Sequence, residues 1–286
     1  MEARAWSKEP DGPLQTPLPD AIIRDGDVGG ADPRSESLAD VQATWEHLGA
    51  ADPLWAILSA PEKQYNQWKL DEFMATGGPT IGALLRLLDE LGLTVNRARA
   101  LDFGCGVGRL SQPLAEQFER VAGVDIADSM IRFARRVNRH GDRVLYHHNP
   151  APDLHLFADN AFDLVFSNIT LQHVPPRISL PYIAEFVRVV KPDGVVVFQL
   201  PSHIESPRAR LRHSMETRAP GLLRLYRTMR RRTTNPRPYS MYAVPWRRVG
   251  AHVRRSGGLV VKRERDFLAP PWVGFRYFVR KDGTAE

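Results

Sequence analysis

Three glycines and one acid between residues 99 and 125 form the pattern most suited to binding a nucleoside. Gly104, Gly106 and Gly108 follow an apolar run, and glycine is needed where a chain turns tightly or a ligand approaches the backbone. Asp125 closes the segment VAGVD, where a carboxylate at a strand end can accept hydrogen bonds from both hydroxyls of a ribose. The pattern predicts a strand, a glycine turn, a helix and a second strand.

The spacing of the glycines and a further acid separate two classes of nucleoside ligand. The glycines are arranged as GxGxG, whereas a dinucleotide site has GxGxxG, and Asp102 lies at the end of the first strand. An acid there would be poorly placed beside a pyrophosphate, but a donor with a sulfonium and no phosphate tolerates it. An NAD-dependent oxidoreductase is therefore the weaker interpretation.

The segments LDFGCGVGR and VAGVDIADSMI resemble the first two motifs of the class I S-adenosylmethionine-dependent methyltransferases. The resemblance continues through NPAPDLHLFADNAFDLVFSNITLQHVPP and YIAEFVRVVKPDGVVVFQLPS and covers residues 78–280. These segments are also similar to a subgroup of the family that is often found with carbohydrate-modifying enzymes. The resemblance implies a Rossmann-like α/β fold and S-adenosylmethionine as the cofactor.

The ligand cleft is expected at the carboxyl ends of the first, second and fourth strands. There we expect Asp102 and Gly104 to face the methionine half of the donor, and Gly106 to let the backbone come close. Asp125 would take the ribose, and Ile126 would lie against the adenine.

The loops after the third and fourth strands supply three more expected cofactor contacts. The resemblance implies that Asp153 accepts the adenine amino group and that Leu154 donates to the adenine from its backbone. A turn-capping role for Asp153 is an equal alternative. Asn168 is expected to contact the carboxylate or amino group of the donor.

The segment NITLQHV, residues 168–174, should line the methyl group of the donor. His173 is the candidate general base, since an alcohol is a poor nucleophile until its proton is removed and histidine has a pKa near ~6.5. A capping or core histidine is the alternative. Gln172 either orients the acceptor or caps the loop. The segment lacks the NPPY-type tetrad that holds a planar amine, which favours an oxygen acceptor.

Three histidines that could bind a metal and one cysteine that could act as a nucleophile are interpreted as structural residues. His147, His148 and His155 have no matching cysteines or paired helical turn, so no metal site is predicted. The sequence leaves open the alternative that the substrate itself binds a divalent ion in part. Cys105, the single cysteine, is interpreted as a small turn filler because its neighbours offer no base.

Composition limits the class of protein. The chain has 286 residues, 43% of them hydrophobic, which suffices for one sizeable α/β domain with an appendage. One cysteine suits a reducing cytoplasm, and no apolar stretch approaches the roughly 20 residues of a membrane span. The net charge of +6 allows an anionic or lipid-linked acceptor, while nucleic acid is disfavoured because no recognition signature is present. A homo-oligomer is possible.

Three regions are predicted along the chain: an irregular or disordered lead (1–37), a helical segment (38–77) and a methyltransferase domain (78–286). Within the domain, residues 206–239 carry ten arginines against one acid, Glu216, and are interpreted as a cap-like helical insert. In the helical segment Trp45, Trp55 and Trp68 are expected to pack in the core, with stacking on a sugar as the minority alternative.

Alternating apolar patterns predict a doubly wound, mostly parallel seven-stranded sheet. Strands are predicted at 100–103, 121–124, 143–146, 162–167, 194–200, 259–265 and 275–279, the last two separated by a PPW turn. Helices are predicted at 80–91, 109–118, 129–138, 177–190 and 243–255.

The function that these patterns favour is S-adenosylmethionine-dependent O-methylation of a sugar or oligosaccharide hydroxyl, the sugar resting on the resemblance. The first alternative is a natural product or lipid-like small acceptor. It predicts an apolar pocket beneath the insert, with Leu222, Tyr226 and Trp272 facing inward. The second alternative is a nonenzymatic protein that binds S-adenosylmethionine and regulates a partner.

Overall fold

The computed structural model describes residues 36–205, 239–266 and 272–281 of the chain. The predicted lead therefore lies outside the described residues except for its last two positions. The predicted insert also lies outside them, apart from Tyr239.

The described chain starts with helices. Ser37 begins the first helix with a capping box, since its hydroxyl accepts from the N–H of Asp40 while the Asp40 carboxylate accepts from the N–H of Ser37. The helices are α1 (Leu38–Ala51), α2 (Pro53–Ile57), α3 (Leu70–Ala75) and α4 (Gly77–Glu90), with a 3₁₀ turn at Pro61–Lys63.

The remaining elements build a seven-stranded sheet in the order β3-β2-β1-β4-β5-β7-β6. Its strands are β1 (Arg99–Phe103), β2 (Arg120–Asp125), β3 (Val144–His148), β4 (Phe162–Ser167), β5 (Val190–Ile204), β6 (Gly258–Asp266) and β7 (Trp272–Lys281). Strand β7 pairs antiparallel with both neighbours, and the other pairings are parallel. The predicted mostly parallel seven-stranded sheet is confirmed.

Helices cover both faces of the sheet. They are α5 (Ser111–Ala115), α6 (Asp128–Arg136), α7 (Pro176–Val189) and α8 (Trp246–Arg255), with 3₁₀ turns at Gly141–Arg143 and Leu171–His173. One buried cluster joins residues of α4, α5 and α6 to the sheet, and a second joins residues of α7 and α8 to its other face. This two-sided burial is the doubly wound arrangement.

The N-terminal helices pack onto the sheet domain. The Glu46 carboxylate of α1 accepts from the N–H of Ser129 at the start of α6, and Leu48 and Phe73 share a buried cluster with Val107 of the glycine turn. The helical segment thus reaches the carboxyl end of the sheet. The predicted boundary between this segment and the methyltransferase domain, at residues 77 and 78, stays a prediction.

Several predicted boundaries differ from the structure for local reasons. The helix predicted at 109–118 is only Ser111–Ala115, because the glycine turn continues to residue 110. Strand β5 is longer than predicted because its last residues pair with β7. The same pairing overturns the assignment of Trp272 to a turn, since Trp272 begins β7 opposite Ile204.

Among the described residues, no helix combines the length and the apolar character needed to cross a membrane.

Two adjacent glycines at the start of α4 give a matched stability test. A Cβ on Gly77 would lie 2.0 Å from the carbonyl oxygen of Arg109, whereas a Cβ on Gly78 would meet nothing within 4 Å. We expect Gly77→Ala to lower the free energy of unfolding by about 1–3 kcal/mol through this clash. Gly78→Ala should leave it unchanged or raise it by up to about 1 kcal/mol. Urea unfolding measures both, and equal effects of the two substitutions would contradict the close packing at Gly77.

Candidate active site

A cavity of about 280 Å³ lies at the carboxyl ends of β1, β2 and β4, where the cleft was predicted. The N-terminal helices and the segment that begins at Tyr239 close it from the other side, and most of its lining side chains are apolar. Six of the eight predicted cofactor residues line it: Asp102, Gly104, Gly106, Asp125, Ile126 and Asn168. Their contacts with a donor stay predictions.

The glycine turn forms the floor of the cavity. Gly104, Gly106 and Gly108 have φ angles of +75°, +53° and +86°, a region that side chains disfavour. A Cβ on Gly104 would also lie 2.2 Å from the side chain of Thr170. The turn is fixed to β2 because the N–H groups of Gly104 and Cys105 both donate to the carbonyl of Val124.

The Cys105 side chain is buried in this turn. Burial raises the pKa of its thiol well above the ordinary value, and the nearby Asp125 and Asp102 raise the pKa further. A thiol that stays protonated is a poor nucleophile, which supports the interpretation as a turn filler.

The Asp125 carboxylate is oriented by backbone amides. One of its oxygens accepts from the N–H of Gly106 and the other from the N–H of Ala127, both at 2.9 Å. Burial raises the pKa of this carboxyl, and these amides oppose the shift. Since a carboxylate has about four acceptor sites, Asp125 keeps capacity for hydroxyl donors in the cavity.

Asp102 lies deeper than Asp125. Its side chain is almost fully buried, and the Ser111 hydroxyl donates to it at 2.6 Å. Burial raises its pKa to about 6, an effect that the bond from Ser111 and the charge of Arg109 only partly oppose. In the structure Asp102 joins β1 to α5 as well as bordering the cavity.

The structure does not bring Asp153 and Leu154 to the cavity. The N–H of Leu154 donates to the Glu185 carboxylate at 2.8 Å, so this amide is already engaged, and its bond to adenine stays a prediction. The Asp153 carboxylate accepts from the N–H of His155, as expected for the turn-capping alternative. Asn149, at the end of β3, lines the cavity instead.

Of the three predicted substrate residues, Gln172 lines the cavity. Tyr226 lies outside the described residues. Trp272 starts β7 and is not among the described residues that line the cavity.

His173 belongs to a directed chain of hydrogen bonds behind the cavity wall. The N–H of Ile169 donates to Gln199 at 3.0 Å, Gln199 donates to Gln172 at 3.4 Å, and Gln172 donates to Nε2 of His173 at 2.9 Å. Nδ1 of His173 donates to the carbonyl of Ser240 at 3.0 Å. Because a backbone N–H only donates and a carbonyl only accepts, the chain has one direction and leaves Nε2 as the unprotonated nitrogen.

Ile169 also carries backbone strain at this position. Its φ is +62°, which is unfavourable for a β-branched residue and is typically retained at functional sites. The bond to Gln199 holds it there.

An aromatic wall stands next to His173. The Trp45 ring lies 5.2 Å from the His173 ring and stacks on the Tyr239 ring at 5.7 Å, and Tyr239 meets His173 edge-on at 4.7 Å. The Ser59 hydroxyl bonds the Tyr239 hydroxyl at 2.5 Å. Of the three tryptophans expected in the core, Trp45 therefore also lines the cavity.

The other two tryptophans have the expected packing roles. Trp55 is buried and donates to the carbonyl of Ala60. The partly buried Trp68 donates to the carbonyl of Leu58 and meets the Phe73 ring edge-on.

Sequence reasoning missed several lining residues. Gln199, which lies behind the lining residue Gln172, was also missed. It was detectable, since it is the polar residue in the apolar strand segment VVVFQL. Arg109 was detectable as the cation that directly follows the glycine turn. Further missed lining residues, which carry no local signal, include Leu38, Val41, Ile57, Tyr239 and Met241.

Among residues 36–205, 239–266 and 272–281, no group of three or more His, Cys, Asp or Glu side chains is placed to hold a metal ion. The three histidines that cluster in the sequence have separate partners. His147 packs on the Phe157 ring, Nε2 of His148 lies 3.0 Å from the Ile126 carbonyl, and His155 pairs with Asp153.

Parts of the chain are similar to known methyltransferases. Residues 101–198 match the family model of a methyltransferase domain. Over 127 residues the chain is 32% identical to a trans-aconitate 2-methyltransferase of Variovorax paradoxus, covering 43% of this chain and 46% of that protein. Over 101 residues it is 35% identical to a ubiquinone biosynthesis O-methyltransferase of Aromatoleum aromaticum, covering 35% and 42%. The chain thus spans less than half the length of these curated relatives.

A solved structure supports the fold over a longer range. The magnesium protoporphyrin IX methyltransferase from Synechocystis, with bound SAH, matches with a TM-score of 0.55 at 16% sequence identity. The match covers 86% of this chain and 100% of that one. The predicted class I fold is confirmed, whereas neither curated relative's name refers to a sugar.

The buried Asp102 gives a testable dependence of stability on pH. Because burial raises its pKa from 3.8 to about 6, the folded state binds the proton more tightly than the unfolded chain. The stabilisation is complete below pH 4 and is lost as the pH rises through 6, about 3 kcal/mol for this shift. Asp102→Asn imitates the protonated acid and should remove this loss.

We expect wild type to lose stability relative to Asp102→Asn between pH 4 and 6, and the difference to stay constant above about pH 7. Urea unfolding at several pH values measures the difference. Parallel profiles across this window would contradict the assigned burial effect.

Proposed function

We propose that this chain, with its methyltransferase domain at residues 101–198, is an S-adenosylmethionine-dependent O-methyltransferase whose acceptor is a small molecule with an apolar body. The proposal rests on one observation: a site suited to a nucleoside and a site suited to an apolar acceptor lie side by side in one cavity. Asp125 and the glycine turn suit a nucleoside, and an aromatic wall lies beside His173.

The donor side of the cavity fits S-adenosylmethionine in its chemistry. Asp125 presents an oriented carboxylate for ribose hydroxyls, and Gly104 and Gly106 leave the floor free of side chains. Asn168 and Asn149 add amide groups at the ends of β4 and β3. When bound, the donor supplies an activated methyl group on a sulfonium.

The acceptor side is formed by Trp45, Tyr239 and Met241 with the apolar residues of α1. Such a surface gains stability from burying apolar or planar groups and offers few hydrogen bonds to a hydroxyl-rich ring. This composition favours the small-molecule alternative over the sugar expected from the resemblance. The name of the Aromatoleum aromaticum relative, an O-methyltransferase of ubiquinone biosynthesis, is compatible with an oxygen acceptor.

His173 is proposed as the base that removes the acceptor proton. Its Nε2 is the unprotonated nitrogen, and the carbonyl of Ser240 holds the proton on Nδ1 and stabilises the imidazolium that forms. An acceptor hydroxyl would replace Gln172 as the donor to Nε2. Gln172 and Gln199 are then positioning residues that set the tautomer.

Donor binding tests the nucleoside half of the proposal. S-adenosylhomocysteine should bind wild type, and Asp125→Asn should weaken binding about 10- to 100-fold because a charged acceptor for hydroxyls is lost. Calorimetric titration measures the affinities. Asp153→Asn, outside the cavity, should stay within about twofold of wild type. Unchanged binding in Asp125→Asn, or binding of NAD instead, would overturn the assignment.

Label transfer from methyl-labelled S-adenosylmethionine into separated cell fractions tests the reaction. We expect label in small apolar metabolites, and a decrease of about 100-fold or more in His173→Ala, the usual scale of general-base catalysis. S-adenosylhomocysteine affinity should stay within about twofold. His155→Ala is the matched control and should retain activity.

The remaining outcomes separate the alternatives. Label in a glycan fraction would restore the sugar acceptor and overturn the apolar one. Full activity of His173→Ala would overturn the base assignment. Donor binding with no label in any fraction would favour the nonenzymatic regulator.

A further inference from the structure

Helix α8 and the edge strand β6 form a strongly basic surface. Six cationic side chains of these elements have no carboxylate within 4 Å among the described residues. They are Arg247, Arg248, Arg254, Arg255, Lys262 and Arg263, and all are exposed. We refer to these six residues with Trp246 as the α8/β6 surface. Unpaired charges at this density repel one another unless an anionic partner compensates them.

Arg263 is held in a defined orientation at the centre of this surface. Its guanidinium lies 3.8 Å from the centre of the Trp246 ring and 4.6 Å from the centre of the Phe275 ring. Arg247 approaches the same indole at 5.2 Å. Stacking restrains the guanidinium without neutralising it, so Arg263 keeps its donors for a ligand from outside.

The same two elements expose apolar side chains. Trp246 is 39% exposed, Leu259 49% and Val261 41%. Six large hydrophobic residues are exposed in the described part of the chain, and these three are half of them. Leu259 pairs with Arg280 on the sheet face opposite α8, so Trp246 and Val261 are the apolar groups among these cations. Exposed apolar groups among cations are the composition of surfaces that rest on the headgroup region of an anionic bilayer.

The Trp246 end of this surface lies at the same end of the sheet as the cavity. The N–H of Trp246 donates to the Ser202 hydroxyl near the carboxyl end of β5. Strand β6 runs parallel to β5 through their common antiparallel partner β7 and ends at Asp266 opposite Gly274, which in turn pairs with Pro201.

We propose that the α8/β6 surface docks on an anionic phospholipid membrane. The cations provide the long-range attraction, Trp246 enters the headgroup region, and the free donors of the stacked Arg263 bind a lipid phosphate. The edge position of β6 agrees with this occupant, because its positive charge opposes strand pairing with a second copy of the chain. Nucleic acid would use the same cations but would not require Val261 to be exposed. The proposal does not depend on the methyltransferase activity.

Sedimentation with vesicles of phosphatidylcholine and phosphatidylglycerol (7:3 as a working ratio) tests the docking with the full chain. We expect binding at low salt that falls steeply with added salt, and little binding to pure phosphatidylcholine. Arg247→Gln/Arg263→Gln should weaken binding about 25-fold, since each cation near such a surface contributes about fivefold. The control Arg86→Gln/Arg120→Gln removes the same charge elsewhere and should change binding less than threefold.

Trp246→Ala separates a lipid surface from a general polyanion surface. It should weaken vesicle binding several-fold and leave binding to a homopolymeric RNA unchanged, whereas the control Leu145→Ala should affect neither. Absence of vesicle binding at low salt, or equal losses in the surface and control double variants, would overturn the proposal. RNA binding without vesicle binding would assign the cations to nucleic acid and overturn it as well.

Discussion

The hydrogen bonds between the Asp125 carboxylate and the amides of Gly106 and Ala127 are the constraint on which the site depends. They fix the glycine turn after β1 to the end of β2, so that two strands deliver their functional groups to one place. The arrangement requires glycine at 106, where φ is +53° and a Cβ would lie 2.5 Å from Ile57. The N-terminal helices can close the cavity only because this backbone is bare.

Local patterns predicted the part of the molecule that local interactions determine. Strand β4 has the predicted bounds, and the GxGxG turn and Asp125 lie together as expected. Both could be predicted because a buried strand is a run of apolar residues and a positive φ favours glycine. The stack of Trp45 on Tyr239 joins residues far apart in the chain. No window of sequence contains both partners, so the aromatic wall could not be read from spacing.

One contact implied by the resemblance would have to compete with a distant side chain that already bonds the group concerned. The amide of Leu154 is bonded to Glu185 of α7, and Arg188 in turn holds the Glu185 carboxylate at 2.7 Å. The bond from Arg188 lowers the pKa of Glu185 and keeps it an acceptor. A resemblance predicts where a loop lies along the chain. It does not predict whether a side chain of the neighbouring helix already bonds the amides of that loop.

The hydrogen-bond chain behind His173 constrains any catalytic role for this residue. Nε2 of His173 accepts from Gln172 in the structure, so an acceptor hydroxyl must compete with that amide. The link from Gln199 to Gln172 is the longest in the chain, at 3.4 Å, and hydrogen bonds weaken towards this length. Gln172 is therefore held less firmly than His173, whose Nδ1 stays bonded to Ser240. The arrangement allows the amide to move away while the imidazole keeps its tautomer and orientation.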